Sequence, residues 1–245
     1  CYYDGANLNA VMGVVRPGDM GFDCIHLNLH KSFATPHGGG GPGSGPVGCK
    51  AFLAPFLPGP IPEKTGTGFR FVQPAQSVGR VRDFYGNFLV VIKAFAYLTM
   101  LGREGLYEVG RSAVLNANYM MARLQDSYDM AYPGPCMHEF VMTLERLRRE
   151  TGVSALDIAK GLLDNGIHPP TMYFPLIVHE ALMIEPTETE SKAAMDEAVA
   201  VFQSLARLAH EDPDVLHTAP HNTPVRRLDE VQAARNPVLR FEFAD

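Results

Sequence analysis

His26-Leu27-Asn28-Leu29-His30-Lys31-Ser32-Phe33, followed through Pro36-His37 by Gly38-Gly39-Gly40-Gly41-Pro42-Gly43-Ser44-Gly45-Pro46, is the stretch whose reading decides the fold. From residue 25 to 31 the apolar side chains alternate. Ile25, Leu27, Leu29 and Lys31 therefore fall on one face of a strand, and Cys24, His26, Asn28 and His30 on the other. On this reading Lys31 inherits an inward direction at the strand end. The glycines after it carry no Cβ and tolerate positive φ, which lets the main chain run close to a bound ligand.

An amine in a semi-apolar crevice loses part of its hydration, which favours the neutral form that condenses with an aldehyde. That is what a lysine holding pyridoxal 5′-phosphate requires. A strand-end lysine is by itself more often a solvated terminus, so the weight comes from a second segment, Tyr2-Tyr3-Asp4-Gly5-Ala6-Asn7, 27 residues earlier. There too a short apolar approach ends on a polar group. A buried carboxylate such as Asp4 can keep a pyridine nitrogen protonated and make the ring an electron sink, while a residue as small as Ala6 leaves room for the ring face.

Asp4-Gly5-Ala6-Asn7-Leu8-Asn9-Ala10, Arg16-Pro17-Gly18-Asp19-Met20-Gly21 and the 26–46 run together resemble the glycine decarboxylase P-protein family. So do Pro135-Cys136-Met137-His138-Glu139-Phe140, His168-Pro169-Pro170-Thr171-Met172-Tyr173-Phe174-Pro175 and Met183-Ile184-Glu185-Pro186-Thr187-Glu188-Thr189-Glu190-Ser191-Lys192. The resemblance runs nearly end to end. The tail Pro220-His221-Asn222-Thr223-Pro224-Val225-Arg226-Arg227-Leu228-Asp229-Glu230 resembles the second subunit of the two-subunit bacterial form. Ser32 stands where the family pattern has threonine, and it keeps the hydroxyl.

The resemblance implies an α/β fold: part of a fold type I pyridoxal-phosphate transferase large domain, followed by a small α+β domain. It implies glycine decarboxylation, with the aminomethyl group passed to the lipoyl arm of H-protein in the glycine cleavage system. Lys31 would hold the cofactor, with Asp4, Ala6, His30 and Ser32 also binding it. Lys31, Asp4, His30 and His37 would be the catalytic set. Partners implied are glycine, lipoylated H-protein and a first P-protein subunit in a heterotetramer. Family members precede the lysine with a long N-terminal portion that supplies the phosphate loop, so the chain reads as a C-terminal fragment expected to be inactive alone. The alternatives are another pyridoxal-phosphate decarboxylase or aminotransferase, or a non-catalytic assembly piece.

Composition sets further bounds. The 245 residues are 46% hydrophobic, ordinary for a globular core, and carry a net charge of −6. No basic run exceeds Arg148-Arg149 or Arg226-Arg227, which speaks against nucleic acid or anionic lipid as a partner. The most apolar segment, 88–101, is shorter than the roughly 20 residues that span a bilayer and contains Lys93. Cys1, Cys24, Cys49 and Cys136 lack C-x-x-C spacing, which reads as reduced thiols in a cytoplasmic setting.

Three regions are expected: 1–127, the cofactor-binding part with linking helices; 128–212, the small domain; and 213–245, an extended tail. Residues 1–57 read as strand, turn, strand, glycine loop and strand, with the last strand over 47–53; 63–76 reads as loop. A buried helix over 83–100 stops at Gly102. A second, 103–125, places Leu106, Val109, Ala113, Ala117, Met120, Met121 and Leu124 on a core stripe. Then come a strand at 137–144, a helix begun by Ser154 and Asp157, and a strand at 172–178. A last helix has a capping box on Thr187 and Glu190, and its Met195, Ala198, Val199, Phe202 and Leu205 face the sheet.

Rival readings are weaker. Cys24, His26, His30 and His37 match no zinc spacing, and on one strand the first and third lie about 20 Å apart. No metal is therefore expected. The glycine run lacks the Gly-Lys-Ser/Thr ending of a phosphate loop, and Pro42 and Pro46 interrupt it. Glu185, Thr187, Glu188 and Glu190 read as groups favouring a helix start. His168, Thr171 and His179 could approach a substrate from the small domain.

Overall fold

Tyr2–Gly5 (β1) and Cys24–Leu27 (β2) lie parallel, with Asp4 opposite His26, and Val47–Cys49 (β3) adds antiparallel to β2. The computed structural model describes residues 1–41, 43–81, 85–241 and 243. They form two compact units, Cys1–Ala113 and Val114–Asp245.

Strand β2 stops earlier than the alternation predicts. Leu29–Ser32 (α1) is one helical turn, so Lys31 follows the strand on a turn of helix and does not end it. Two features explain this. The Leu27 and Leu29 N–H groups donate to Pro46 O (3.1 Å) and Ser44 O (3.0 Å), so the glycine loop zips along the chain leaving β2. Leu29 and Phe33, four apart, then enter one core with Met12, Val90, Ala94 and Val109, a spacing that suits helix better than strand. The close approach needs glycine: a Cβ on Gly45 would stand 1.8 Å from Leu27 O, and one on Gly5 2.4 Å from His26 O.

The strand predicted over 47–53 is cut short by a 3-10 segment, Ala51–Phe56, that contains Pro55. The stretch read as loop holds a hairpin, Ile61–Lys64 (β4) with Phe69–Val72 (β5), tied by Arg70 Nε donating to Glu63 Oε2 at 2.8 Å. Phe88–Leu124 (α2) bends at Gly102, whose φ of 63° and ψ of −172° suit only glycine, as the two-helix reading expected. The predicted start at Asp83 lies outside the described residues. The expectation of a buried first half is corrected: Val90 and Ala94 are buried, whereas Phe88, Leu89, Phe95 and Met100 are exposed.

In the second unit, Asp129–Met130 (β6), Phe140–Thr143 (β7), Thr171–Met172 (β8) and Ala181–Ile184 (β9) form an antiparallel sheet ordered β6-β7-β9-β8. Strand β9 is an unbroken apolar run of four, a pattern that periodicity does not assign. Glu145–Thr151 (α3) ends on Gly152 at φ 81°. Ala155–Asp164 (α4) begins on the predicted Ser154–Asp157 capping box. Lys192–Glu211 (α5) begins later than expected: Ser191 accepts from Ala194 N–H at 3.1 Å, while Thr187 and Glu190 make a turn ahead of it. Met195, Val199, Phe202 and Leu205 are buried on it as predicted, together with Ala117, Met120 and Leu124 from the end of α2.

The stretch after Pro213 is corrected as well. Pro213–Thr218 (α6) buries Leu216 in the same core, and Glu230–Arg235 (α7) follows. Arg227 Nη2 reaches Asp157 Oδ1 at 2.6 Å and Leu216 O at 2.9 Å. Part of this segment is thus held by the second unit and is not a free tail.

Candidate functional site

In open α/β sheets, ligands bind beyond the carboxyl ends of parallel strands. Asp4 lies at that end of β1, and α1 with Lys31 follows that end of β2. Asp4 Oδ1 accepts from Ala6 N–H at 2.9 Å, a local turn that fixes the carboxylate. His26, read from sequence as a sheet residue, stands beside it: Nε2 is 3.4 Å from Asp4 Oδ1, Nδ1 meets the Tyr2 hydroxyl at 2.6 Å, and the Tyr2 and His26 rings stack at 5.6 Å. The sequence reading did not join these three. Parallel register between β1 and β2 is what brings them together.

Burial differs from expectation. The expected buried carboxylate is not found: the Asp4 side chain is 75% exposed, and Lys31 is exposed as well. Both open outward from the sheet end, because α1 turns Leu29 and Ser32 into the core in place of Lys31.

His30 and His37 meet, with ring centroids 4.4 Å apart. The His30 Nδ1 is buried without a hydrogen-bond partner. Burial, helped by His37 and Lys31 nearby, pushes the His30 pKa below its ordinary value, which favours a neutral ring. Gly43 passes over the pair: a Cβ there would stand 3.3 Å from His37 Cδ2 and 3.5 Å from His30 Nδ1. Ser32, read as touching cofactor, is buried and accepts from Leu8 N–H at 2.8 Å, so its hydroxyl anchors the loop after β1. An exposed lysine, an exposed carboxylate at the adjoining strand end, an orphaned ring nitrogen and a glycine cradle fit a flat aldehyde cofactor with a ring nitrogen.

The second unit has a cavity of about 560 Å³ whose lining includes His168, Thr171, Glu185, Thr187 and Glu190. Of the small-domain candidates, His168 and Thr171 reach it. At His179 the backbone carbonyl accepts from Thr143 Oγ1. The ion pair of Asp157 with Arg227, 70 residues apart, had no signal in the sequence. Burial pushes the Asp157 carboxyl up, but the Ser154 backbone and hydroxyl bonds and the Arg227 guanidinium outweigh it and hold it below its ordinary value.

Residues 109–221 match the family model described as the C-terminal domain of glycine dehydrogenase. A probable glycine dehydrogenase (decarboxylating) subunit 2 from Treponema denticola is 60% identical over 98% of this chain and 50% of its own length. Its counterpart from Thermotoga petrophila is 59% identical over 98% of this chain and 51% of its own length. The chain thus spans about half the length of the curated relatives it matches. Among solved structures, a glycine decarboxylase (P-protein) of the glycine cleavage system in inhibitor-bound form superposes with a TM-score of 0.66 at 22% identity, over 79% of this chain and 46% of that one. A cysteine desulfurase from Thermococcus onnurineus gives 0.61 at 16% identity, over 84% and 52%. The fold is therefore the α/β fold of the fold type I class that these proteins share.

Proposed function

We propose, for a chain that belongs to the glycine dehydrogenase (decarboxylating) subunit 2 family, that it carries the lysine side of a pyridoxal-phosphate site that decarboxylates glycine. One observation carries the reading: Asp4 lies at the carboxyl end of β1 and Lys31 on the helical turn that follows the carboxyl end of its parallel neighbour β2, with the glycine loop zipped against the chain leaving β2.

When bound, pyridoxal 5′-phosphate supplies an electron sink for the pair left as glycine loses carbon dioxide. Lys31 gives the amine that ties the cofactor to the chain. Asp4, oriented by Ala6 N–H and backed by His26 and Tyr2, holds a proton on the ring nitrogen. Neutral His30, with His37 against it, shapes the pocket and offers an unpaired nitrogen to a moving proton. The relatives' names support glycine as substrate and, through the words subunit 2, a further subunit that completes the enzyme; lipoylated H-protein as acceptor of the aminomethyl group rests on the sequence resemblance alone. No described helix is long and apolar enough to cross a membrane, and the four free cysteines suit a reducing compartment such as the cytoplasm.

A second reading, a piece inactive by itself, is supported by the open exposure of Asp4 and Lys31. Borohydride reduction of the complete complex with cofactor, followed by peptide mapping, tests the main reading. It expects the label on Lys31, and a label on Lys50 or Lys93 would overturn it.

A further inference from the structure

His138, Glu139 and Glu185 converge at one end of the β7–β9 ladder. Phe140 and Ile184 form the last rung, so the antiparallel register sets Glu139 and Glu185 opposite each other one step beyond it. Like charges placed this way repel. His138 Nε2 stands 3.9 Å from Glu139 Oε2 and 3.9 Å from Glu185 Oε1, and the three candidate donor atoms lie within 4.8 Å of one another.

The ring itself is the second observation. The His138 side chain is only 10% exposed, and neither ring nitrogen has a hydrogen-bond partner among the described residues. Buried polar atoms are seldom left so. Contacts of 3.9 Å are too long for hydrogen bonds. They are close to the separation of about 3.3 Å between neighbouring donors on a tetrahedral ion with bonds of about 2.0–2.1 Å. A small inward movement of two carboxylates closes the difference, and Glu185, 31% exposed in its side chain, leaves a side open for a water ligand. A cation at the centre would be bound by both opposed carboxylates and would take up the lone pair of one ring nitrogen.

We propose that His138, Glu139 and Glu185 form a binding site for a divalent transition-metal ion of the zinc class. One imidazole nitrogen with two carboxylate oxygens suits zinc, whereas magnesium and calcium prefer oxygen donors alone. Bound there, the ion clips the entry of β7 to the exit of β9. This site is independent of the cofactor reading, involving none of its residues.

The test titrates the full, chelator-stripped chain with zinc against a chromophoric chelator, with no pyridoxal phosphate present, and compares it with Glu185→Gln and His138→Asn. Glu185 is partly exposed, so its variant keeps the core intact even if the buried histidine variant does not fold. Since loss of groups that merely support a ligand costs about 10–100-fold in affinity, loss of a ligand is expected to cost at least about a hundredfold. Cobalt substitution should give a visible band without thiolate charge transfer, absent from Glu185→Gln. Zinc should raise the melting temperature of the parent chain and not of that variant. Equal zinc affinity and stoichiometry in parent and Glu185→Gln would overturn the proposal, as would a parent chain that takes up no zinc.

Discussion

Asp4 and His26 are cross-strand partners on parallel strands, with 3.4 Å between the carboxylate Oδ1 and the ring Nε2. Because the Tyr2 hydroxyl engages the other ring nitrogen, the three residues form one polar chain leading to the sheet end. Asp4 is thereby oriented from two sides, by His26 and by the Ala6 N–H, although most of its surface is open.

Asp4→Asn in the complete enzyme is expected to keep the fold and some cofactor binding but lose glycine decarboxylation by about three orders of magnitude, or ~4 kcal/mol of transition-state stabilisation. A neutral amide no longer favours a protonated ring nitrogen. Glycine-dependent bicarbonate exchange with H-protein measures it, and turnover near that of the parent would remove Asp4 from the mechanism.

Lys31→Ala in the same complex should abolish both the cofactor label and glycine turnover. The exposure of Lys31 makes the variant structurally mild, because surface substitutions usually change stability by less than about 0.5 kcal/mol. A melting curve like that of the parent, together with lost turnover, is the expected pair of results. Retained turnover would sink the assignment.

His30 gives a pH dependence. Its folded pKa lies below the ordinary value because the ring is partly desolvated and stands near His37 and Lys31. Below about pH 6.5 the unfolded chain therefore takes up a proton that the folded chain still refuses. Stability should fall as the pH drops below that point, until the folded ring also titrates. Urea denaturation of the parent and of His30→Gln at a series of pH values checks this: the parent should lose more stability on acidification than the variant. Parallel profiles would show that His30 is not the group responsible.

Arg227→Ala should destabilise the second unit by about 2 kcal/mol, the range for a hydrogen bond to a charged group. It leaves the buried Asp157 carboxylate with Ser154 and with His217 at 3.4 Å. Because the folded Asp157 pKa is depressed, this stabilisation is present above the ordinary carboxylate range, about 3.9 for aspartate. It is lost as the pH falls toward the lower folded value, so parent and variant should converge in acid. A variant that unfolds with the parent at neutral pH would mean that the pair contributes nothing net.

What the sequence disclosed was chiefly local. Asp4, Lys31 and the glycine loop are marked by short-range chemistry, and the capping box on Ser154 needs four consecutive residues. What it hid depends on partners far along the chain. Strand β2 yields to α1 because Ser44 and Pro46 capture its backbone, which alternation over 25–31 does not register. The outward turn of Lys31 follows from that capture. The cap at Ser191 over Thr187, and Leu216 in the core over an extended tail, were likewise decided by where α5 and α6 pack.

The exposed face of the first half of α2 gives the last prediction. Phe88, Leu89, Phe95 and Met100 are each at least 66% exposed, and on the side of β1 away from β2 no strand pairs among the described residues. An open strand edge recruits other chains, and apolar patches larger than about a few hundred Å² drive association. The isolated chain is therefore expected to self-associate, and to bind pyridoxal phosphate weakly because Asp4 and Lys31 are open to water. The second unit should stay compact, since α4, α5 and the β6–β9 sheet bury one another. Light scattering with cofactor titration decides the matter. Replacing Leu89 and Phe95 by glutamate should reduce association without altering the second unit's melting transition. A monodisperse parent chain that binds cofactor at micromolar or tighter concentration would show that these surfaces need no cover and that the site is complete within this stretch.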